Sequence, residues 1–495
     1  MKKLFCILLA ALFVLGMFVS CAEQKPGADT TKASDVTTAP GGDATTAPET
    51  EPETLTKPEI AQQFLDKLPK ANYNREFNVL CMAGVGNSEK EIWAEDASSE
   101  PIEDAVFRRN AAMYDTFGVT ITKNAQASVV TAAQNDIKSN AKSYDLIMAN
   151  GPDTGSLAQN GYLYNFLDLS DYMNLNEEWW DPGTLRDCAI NGKVYFMNGD
   201  INILDNDVTW IMIFNKKMVA DNDLEEPYQL VKDGKWTLDK FYEYVKTVSK
   251  DNGDGKYDEN DTYGFLTTNG GGLTNFLYTS DIKTVDFKDG IPEVVMGEYQ
   301  DKILDLLSYC KKLMHEDNVT WVSTNNPAQT RDMFMNNQGL FYSEVLSYIV
   351  NLADMDSPYG VLPTPKYDES QEHYRTHVDG VGSMISIPAN IDKPDEAGYI
   401  IEAFALYSYA YLTPAYYDVT LKRKKSRDSE SSEMIDIILQ SRVYDIGYIY
   451  PSIGLPTIFN TLVSKGSTDF ASSYKNASKK ATKALENIMK KYNKI

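Results

Sequence analysis

Histidine is nearly missing from this chain, with 3 in 495 residues. His315, His373 and His377 lack zinc-ligand spacing; His373 and His377 are four apart, but the polar segment around them is not helical in pattern. A histidine-based triad or metal centre is therefore not favoured. There is no Gly-x-Ser-x-Gly elbow and no Walker loop. Basic residues are outnumbered, 47 Lys and Arg against 71 Asp and Glu, giving a formal net charge of -24. Such a surface repels nucleic acid and anionic headgroups, which excludes both as the main ligand. Cysteine is scarce, at 5, and no disulfide framework can be read from the spacings. What remains is an ordinary globular composition, 43% hydrophobic and 24% charged, with an unusual 31 tyrosines. The length suggests two to four domains at roughly 150 residues each.

The first residues read as a targeting segment. Lys2 and Lys3 precede an apolar run from Leu4 to Val19, which is short of the ~20 residues of a membrane-spanning helix. The run ends Phe18-Val19-Ser20-Cys21, which resembles the bacterial lipoprotein box. That resemblance implies removal of residues 1–20 and a diacylglycerol on the Cys21 thiol. Ala22 to Lys57 is built from Thr, Ala, Pro, Gly, Asp and Glu with no aromatic. It cannot bury enough apolar surface to offset its ordering entropy, so 21–75 is expected to be a disordered tether. With Cys6 in the signal and Cys21 lipidated, Cys81, Cys188 and Cys310 are expected to be buried thiols.

From Phe77 strands alternate with helices. Phe77–Met82, Val119–Thr122 and Tyr144–Met148 read as strands, with helices over Glu103–Phe117 (Gly118 as its C-cap) and Ala132–Ala141. This order predicts βαβ units and a mainly parallel sheet, whose ligands bind beyond the carboxyl ends of the strands, here Gly84–Asn87 and Asn150–Asp153. Asn191-Gly192 reads as a hairpin turn, Thr209–Phe214 as a strand, and Thr237 as the N-cap of a helix.

Several phrases together resemble one family. They are Asp104-Ala105-Val106 with Arg109-Asn110, Glu178-Trp179-Trp180-Asp181, Ile190 to Tyr195 followed by Phe214-Asn215-Lys216, Glu226-Pro227-Tyr228 through Gly234-Lys235-Trp236-Thr237, and Tyr359 to Tyr367. The chain resembles the extracellular solute-binding lipoproteins of bacterial ABC importers, in the carbohydrate-binding branch related to maltose-binding protein. The resemblance implies an α/β fold of two lobes joined by a hinge of several crossings. Lobe one would comprise 76–203 and 359–410, lobe two 208–352 and 413–495, with Asp205-Asn206-Asp207 at the first crossing and Tyr359 to Tyr367 as the strand returning to lobe one. It also implies a carbohydrate ligand, permease subunits as partners, a lipid-anchored monomer on the outer face of the cell membrane, and no enzymatic step.

A sugar site needs aromatic faces for the rings and carboxylates or amides for the hydroxyls. Trp179, Trp180 and Asp181 offer such a set, and so does Trp210 just past the hinge. Asn150, Asn206, Asp207 and Asn269 are polar candidates at strand ends and the hinge. Glu344 lies where the resemblance places a cleft residue; His377 and Asp379 precede the strand Met384–Pro388, and Tyr448 and Tyr450 are late aromatics. Each could equally be a core, loop or capping residue. The segment 250–261 aligns with an EF-hand-type loop, with Asn252, Asp254, the Lys256 carbonyl, Asp258 and Asp261 in ligand positions. Lys250 stands where an Asp is expected, so a structural Ca²⁺ is balanced against a solvated acidic turn. No other cofactor is expected. Glu402 and Asp379 could be imagined as a glycosidase pair, but so could many pairs among 71 acids. The expectation is an importer's binding subunit for an oligosaccharide. The rivals are a peptide- or polyamine-binding protein, a surface-anchored glycoside hydrolase and a glycan adhesin. The basic run Lys422–Lys425 reads as an exposed face.

Overall fold

In the computed structural model, which describes residues 55–323, 326–422 and 429–493, the apolar runs of the sequence become two separate sheets. The strands that build them are β1 (Arg75–Met82), β2 (Val119–Gln126), β3 (Leu146–Asn150), β4 (Trp210–Asn215), β5 (Tyr263–Thr268), β6 (Thr320–Ser323), β7 (Gly339–Val345), β8 (Tyr359–Leu362) and β9 (Ser383–Ser386). The first sheet runs β9-β3-β1-β2 and the second β8-β4-β7-β5-β6. In the first, β1 lies parallel to both β2 and β3, and β9 is antiparallel to β3. In the second, β5 is parallel to β6 and β7, while β4 runs antiparallel to β7 and β8. The expected signal segment, Cys21, most of the tether, and Arg423 to Lys425 of the basic run lie outside the described residues.

The local signals are realised closely. The helix Pro101–Phe117 ends at Gly118, whose φ of 64° is the left-handed C-cap only glycine adopts freely. Thr237 caps Leu238–Val248 by accepting the Lys240 amide. Asn191 and Gly192 both have positive φ, 52° and 68°, between the paired Ile190 and Lys193. Cys81, Cys188 and Cys310 are buried free thiols.

Three expectations are corrected. The tether does not extend to residue 75: Lys57–Leu65 is a helix with a capping box between Thr56 and Glu59. It buries Ala61 and Leu65 and sets Phe64 edge-on to Trp179, with ring centroids 4.7 Å apart. The Ala61, Phe64 and Leu65 spacing is an apolar stripe that a reading based on composition passed over. Second, Tyr359–Leu362 does not return the chain to the first lobe. As β8 it pairs with Met212–Asn215, because β4 is buried on both faces and needs a ladder partner on its outer edge. The return comes later, along 378–383, where Val378 pairs with Thr209 and the Asp379 amide donates to the Val208 carbonyl at 3.0 Å. A third crossing lies alongside, with Thr376 and His377 parallel to Arg442 and Val443. The helix Thr413–Lys422, expected in lobe two, packs against Pro101–Phe117 of the first.

Candidate functional site

The strand directions place the site. β1 and β3 in the first sheet, and β5 and β7 in the second, all end where the crossing segments run. The antiparallel β9 and β4 start there, so Ser383 pairs with Asn150 and Trp210 with Val345. The carboxyl ends of both sheets thus face the crossings, as parallel sheets with ligand sites do.

At the first lobe's edge, Asn150 caps the helix Gly151–Gln159 by accepting the Asp153 amide at 2.9 Å. The Gly151 amide donates to the Gly380 carbonyl at 3.0 Å, tying β3 to the returning segment. Asp207 accepts Asn87 Nδ2 at 2.7 Å and the Tyr416 hydroxyl at 3.1 Å. At the second lobe's edge, Trp210 is 4% exposed and packs against Gly271 and Gly272. Glu344 is buried, accepts the Tyr342 hydroxyl at 3.3 Å, and is pushed up to about 7 by burial, with Asp379 adding to the shift. Asn269 is exposed and accepts from the Ser464 hydroxyl. His377 lies between two tyrosines, stacked on Tyr278 at 4.7 Å and edge-on to Tyr448 at 4.5 Å. Burial pulls its pKa down to about 4, so the ring is neutral. Trp210, Glu344, His377, Asp379 and Tyr448 are therefore gathered around the crossings, with Asn150 and Asn269 at the two sheet edges.

Three candidate aromatics are core instead. Trp179 and Trp180 are 0% and 1% exposed, and their indole N–H groups donate to the two oxygens of Glu402, each at 3.1 Å. Gly199 allows this packing: a Cβ there would stand 2.5 Å from the Trp179 carbonyl oxygen. Glu402 is thus spoken for structurally and is no partner for Asp379. Tyr450 is 1% exposed and shares its hydroxyl with Tyr492.

Asp181 and Asn206 belong to a network that the sequence reading missed. Arg442, on the third crossing, donates through Nη2 to Asp181 at 2.6 Å and through Nη1 to Asp205 at 2.9 Å and Asn206 at 2.6 Å. The Tyr444 hydroxyl donates to the other side of the same set, to Asp181 at 2.8 Å. Burial works against the guanidinium charge, but Asp181 and Asp205 outweigh it and raise its pKa. The available signal was a lone arginine before the apolar and aromatic Val443-Tyr444.

In the loop 250–261 the side-chain oxygens accept the loop's own amides. Lys250 pairs with Thr262 in a short ladder, and Asp251 Oδ1 accepts the amides of Gly253, Asp254 and Gly255. The expected ligands Asn252, Asp254 and Asp258 each accept a nearby amide, Asp261 accepts those of Asn252 and Asp258, and Lys256 donates its amide to Asp254. Among the described residues no group of three or more His, Cys, Asp or Glu is arranged to hold a metal ion.

The profile of the bacterial extracellular solute-binding protein family matches residues 109–413, more than half of the chain. The chain belongs to that family. Its fold is shared with solved structures at low identity. The cyclic alpha-maltosyl-1,6-maltose binding protein of Arthrobacter globiformis is 14% identical, with 84% of this chain and 99% of that one covered, at a TM-score of 0.56. A cyclo/maltodextrin-binding protein complexed with maltotetraose is 14% identical over 85% and 98%, at 0.55. M. tuberculosis UspC is 14% identical over 83% and 100%, at 0.54. Likeness at this identity establishes the two-lobed α/β fold and not the ligand. No curated protein matches the sequence. Among the described residues no helix is long and apolar enough to cross a membrane.

Proposed function

We propose that this solute-binding protein is the substrate-binding subunit of an ABC importer, and that it captures an oligosaccharide between its lobes. The observation that carries the reading is the gathering of Trp210, Tyr448, Glu344 and Asp379 around the crossings: two aromatic side chains and two carboxylates, drawn from the second sheet, the returning segment and the helix Ile446–Ile449. Aromatic faces suit the apolar faces of sugar rings and carboxylates suit their hydroxyls. The fold neighbours include a protein complexed with maltotetraose and a cyclic alpha-maltosyl-1,6-maltose binding protein, which supports the same ligand class.

In this reading the chain makes and breaks no covalent bond. Ligand bridges the two lobes, so it binds the closed arrangement better than the open one and shifts the population toward closure. The closed form docks on permease subunits, which supply the energy of transport. An N-terminal signal and a lipid on Cys21 would hold the body at the outer face of the cell membrane as a monomer. A thermal-shift panel of oligosaccharides, followed by small-angle scattering with and without the hit, tests this. A stabilising glycan that also lowers the radius of gyration is expected. A panel in which no glycan stabilises the protein, or a hit that is cleaved during incubation, would overturn it.

A further inference from the structure

The last helix, Phe470–Tyr492, has two faces with different explanations. Phe470, Ala481, Leu485, Ile488 and Tyr492 are buried, which fixes the helix on the body by apolar contact. Its end is tied down as well: Lys193 Nζ donates to the Tyr492 carbonyl at 3.1 Å, and Lys491 Nζ to Asn160 Oδ1 at 3.0 Å. The opposite face needs a separate account. Lys475, Lys479, Lys480, Lys483, Lys490 and Lys491 are all exposed, and Glu486 is the one acid between Lys475 and Lys491. At 3.6 residues per turn these lysines fall within an arc of about 160°, along about 24 Å of helix. Among the described residues none of them is in an ion pair, although the chain has 71 acidic residues to 47 basic ones.

Helix chemistry accounts for two of the lysines. Lys490 and Lys491 lie in the last turn, where a cation meets the negative end of the helix dipole. Lys475, Lys479, Lys480 and Lys483 have no such benefit. Lys475, Lys479 and Lys483 stand four apart, a spacing at which like charges repel on a helix. A face that keeps like charge together suits a partner that supplies the opposite charge over an area. The side chains say which kind. Lysine is a point charge on a flexible stem and does not grip one phosphate or carboxylate bidentately, as arginine does. From Lys475 to Lys491 the exposed face has no aromatic to stack on bases and no large apolar side chain to anchor a protein interface. An array of mobile lipid headgroups requires neither.

We propose that the lysine face of Phe470–Tyr492 rests on the anionic headgroups of a phosphatidylglycerol-type bilayer, and so sets which side of the body faces the membrane. The net charge of -24 still excludes such a surface as the main ligand. That repulsion is screened beyond about 8 Å at physiological salt, whereas the lysines reach the headgroups directly. The inference rests on the reading that holds the body at the outer face of the cell membrane, and names the contact made there.

Leu55–Ile495 is one compact unit by itself, so a chain of residues 22–495 tests the contact without signal or lipid. Its partition onto vesicles of equal phosphatidylglycerol and phosphatidylcholine is measured by co-sedimentation at 0.1 M salt. It is expected to be at least tenfold above that on phosphatidylcholine alone, and to fall at least fivefold at 0.5 M salt. Lys475→Gln, Lys479→Gln, Lys480→Gln and Lys483→Gln together keep helix propensity and should lower the partition at least fivefold. Gln at the exposed Lys138, Lys217, Lys246 and Lys256 changes the net charge equally and should leave it within twofold. Equal partition onto both vesicles overturns the inference. So does a preference that survives in the first variant, or one that falls as far in the second. A soluble polyphosphate that displaces the protein at less phosphate than the vesicles carry overturns the bilayer as the occupant. The lipid and salt comparisons are made on the parent chain and decide the matter even if a variant fails to fold. A Cys21 without lipid, or a glycan panel without a hit, would overturn the earlier reading and leave the vesicle results standing.

Discussion

Single residues in this protein divide by where their polar atoms end. Trp180 and Trp210 look alike in the sequence, yet one indole N–H is satisfied inside the first lobe by Glu402 and the other, at the start of β4, has no acceptor among the described residues. Trp180→Ala should therefore cost about 3–5 kcal/mol of stability in chemical denaturation, with ligand affinity of the folded fraction within twofold of the parent. Trp210→Phe keeps most of the packing and loses the donor; calorimetry should show at least a fivefold loss of affinity. The difference was legible only from the partner: Glu402 is the carboxylate within the buried stretch Ile400–Tyr407 of the helix Pro394–Tyr407, and such a residue needs a buried donor. Glu91 makes a second point. It is fully buried, accepts the Ile203 and Leu204 amides and the Ser383 hydroxyl, and burial pushes it up to about 8 from 4.5. Between those values the folded protein holds a proton that the unfolded chain has released. Stability must therefore fall as pH rises through that window, by about 1.4 kcal/mol per pH unit from this group. Urea unfolding at pH 5.5, 6.5 and 7.5 should show that slope, and Glu91→Gln should flatten it.

Among elements, those with strong periodicity or a capping residue were readable, and those set by pairing were not. Thr237 and Gly118 announced their helix ends, because a cap is a local interaction. β8 was assigned to the wrong lobe, since a four-residue apolar strand carries no record of which sheet edge it completes. The helix Lys57–Leu65 was hidden by the Thr- and Pro-rich stretch before it. Truncation to residue 71 should lower stability by roughly 2–4 kcal/mol, because Ala61 and Leu65 lose their burial and Trp179 loses Phe64; a tether in that position would make the truncation silent. The loop 250–261 gives another case, a motif legible in spacing whose oxygens accept the loop's own amides. Asp261 is 1% exposed and both its oxygens accept amides, so Asp261→Ala should cost about 1–3 kcal/mol. Millimolar Ca²⁺ or a chelator should leave the unfolding midpoint of the parent unchanged. A midpoint that rises with Ca²⁺ would show that the loop rearranges around a cation.

At the scale of the whole molecule, what matters is which contacts survive hinge motion. The Arg442 network joins the third crossing to Asp181, Asp205 and Asn206 around the first. All of these lie on or beside the crossings, where a hinge moves least. The network is thus expected to hold the pivot together in both open and closed forms. Removing the guanidinium leaves Asp205, whose side chain is 2% exposed, without its cation, and breaking such a buried pair costs about 3–5 kcal/mol. Arg442→Met should show that loss in denaturant titration, and the Asp205→Asn/Arg442→Met double variant should recover part of it. If the network only holds the pivot, the double variant keeps the ligand-induced fall in radius of gyration and an affinity within about threefold of the parent. If instead it is made or broken on closure, stability and compaction will change together. An unliganded double variant already as compact as the liganded parent, or one that no longer compacts with saturating ligand, would show that Arg442 sets the balance between the two forms.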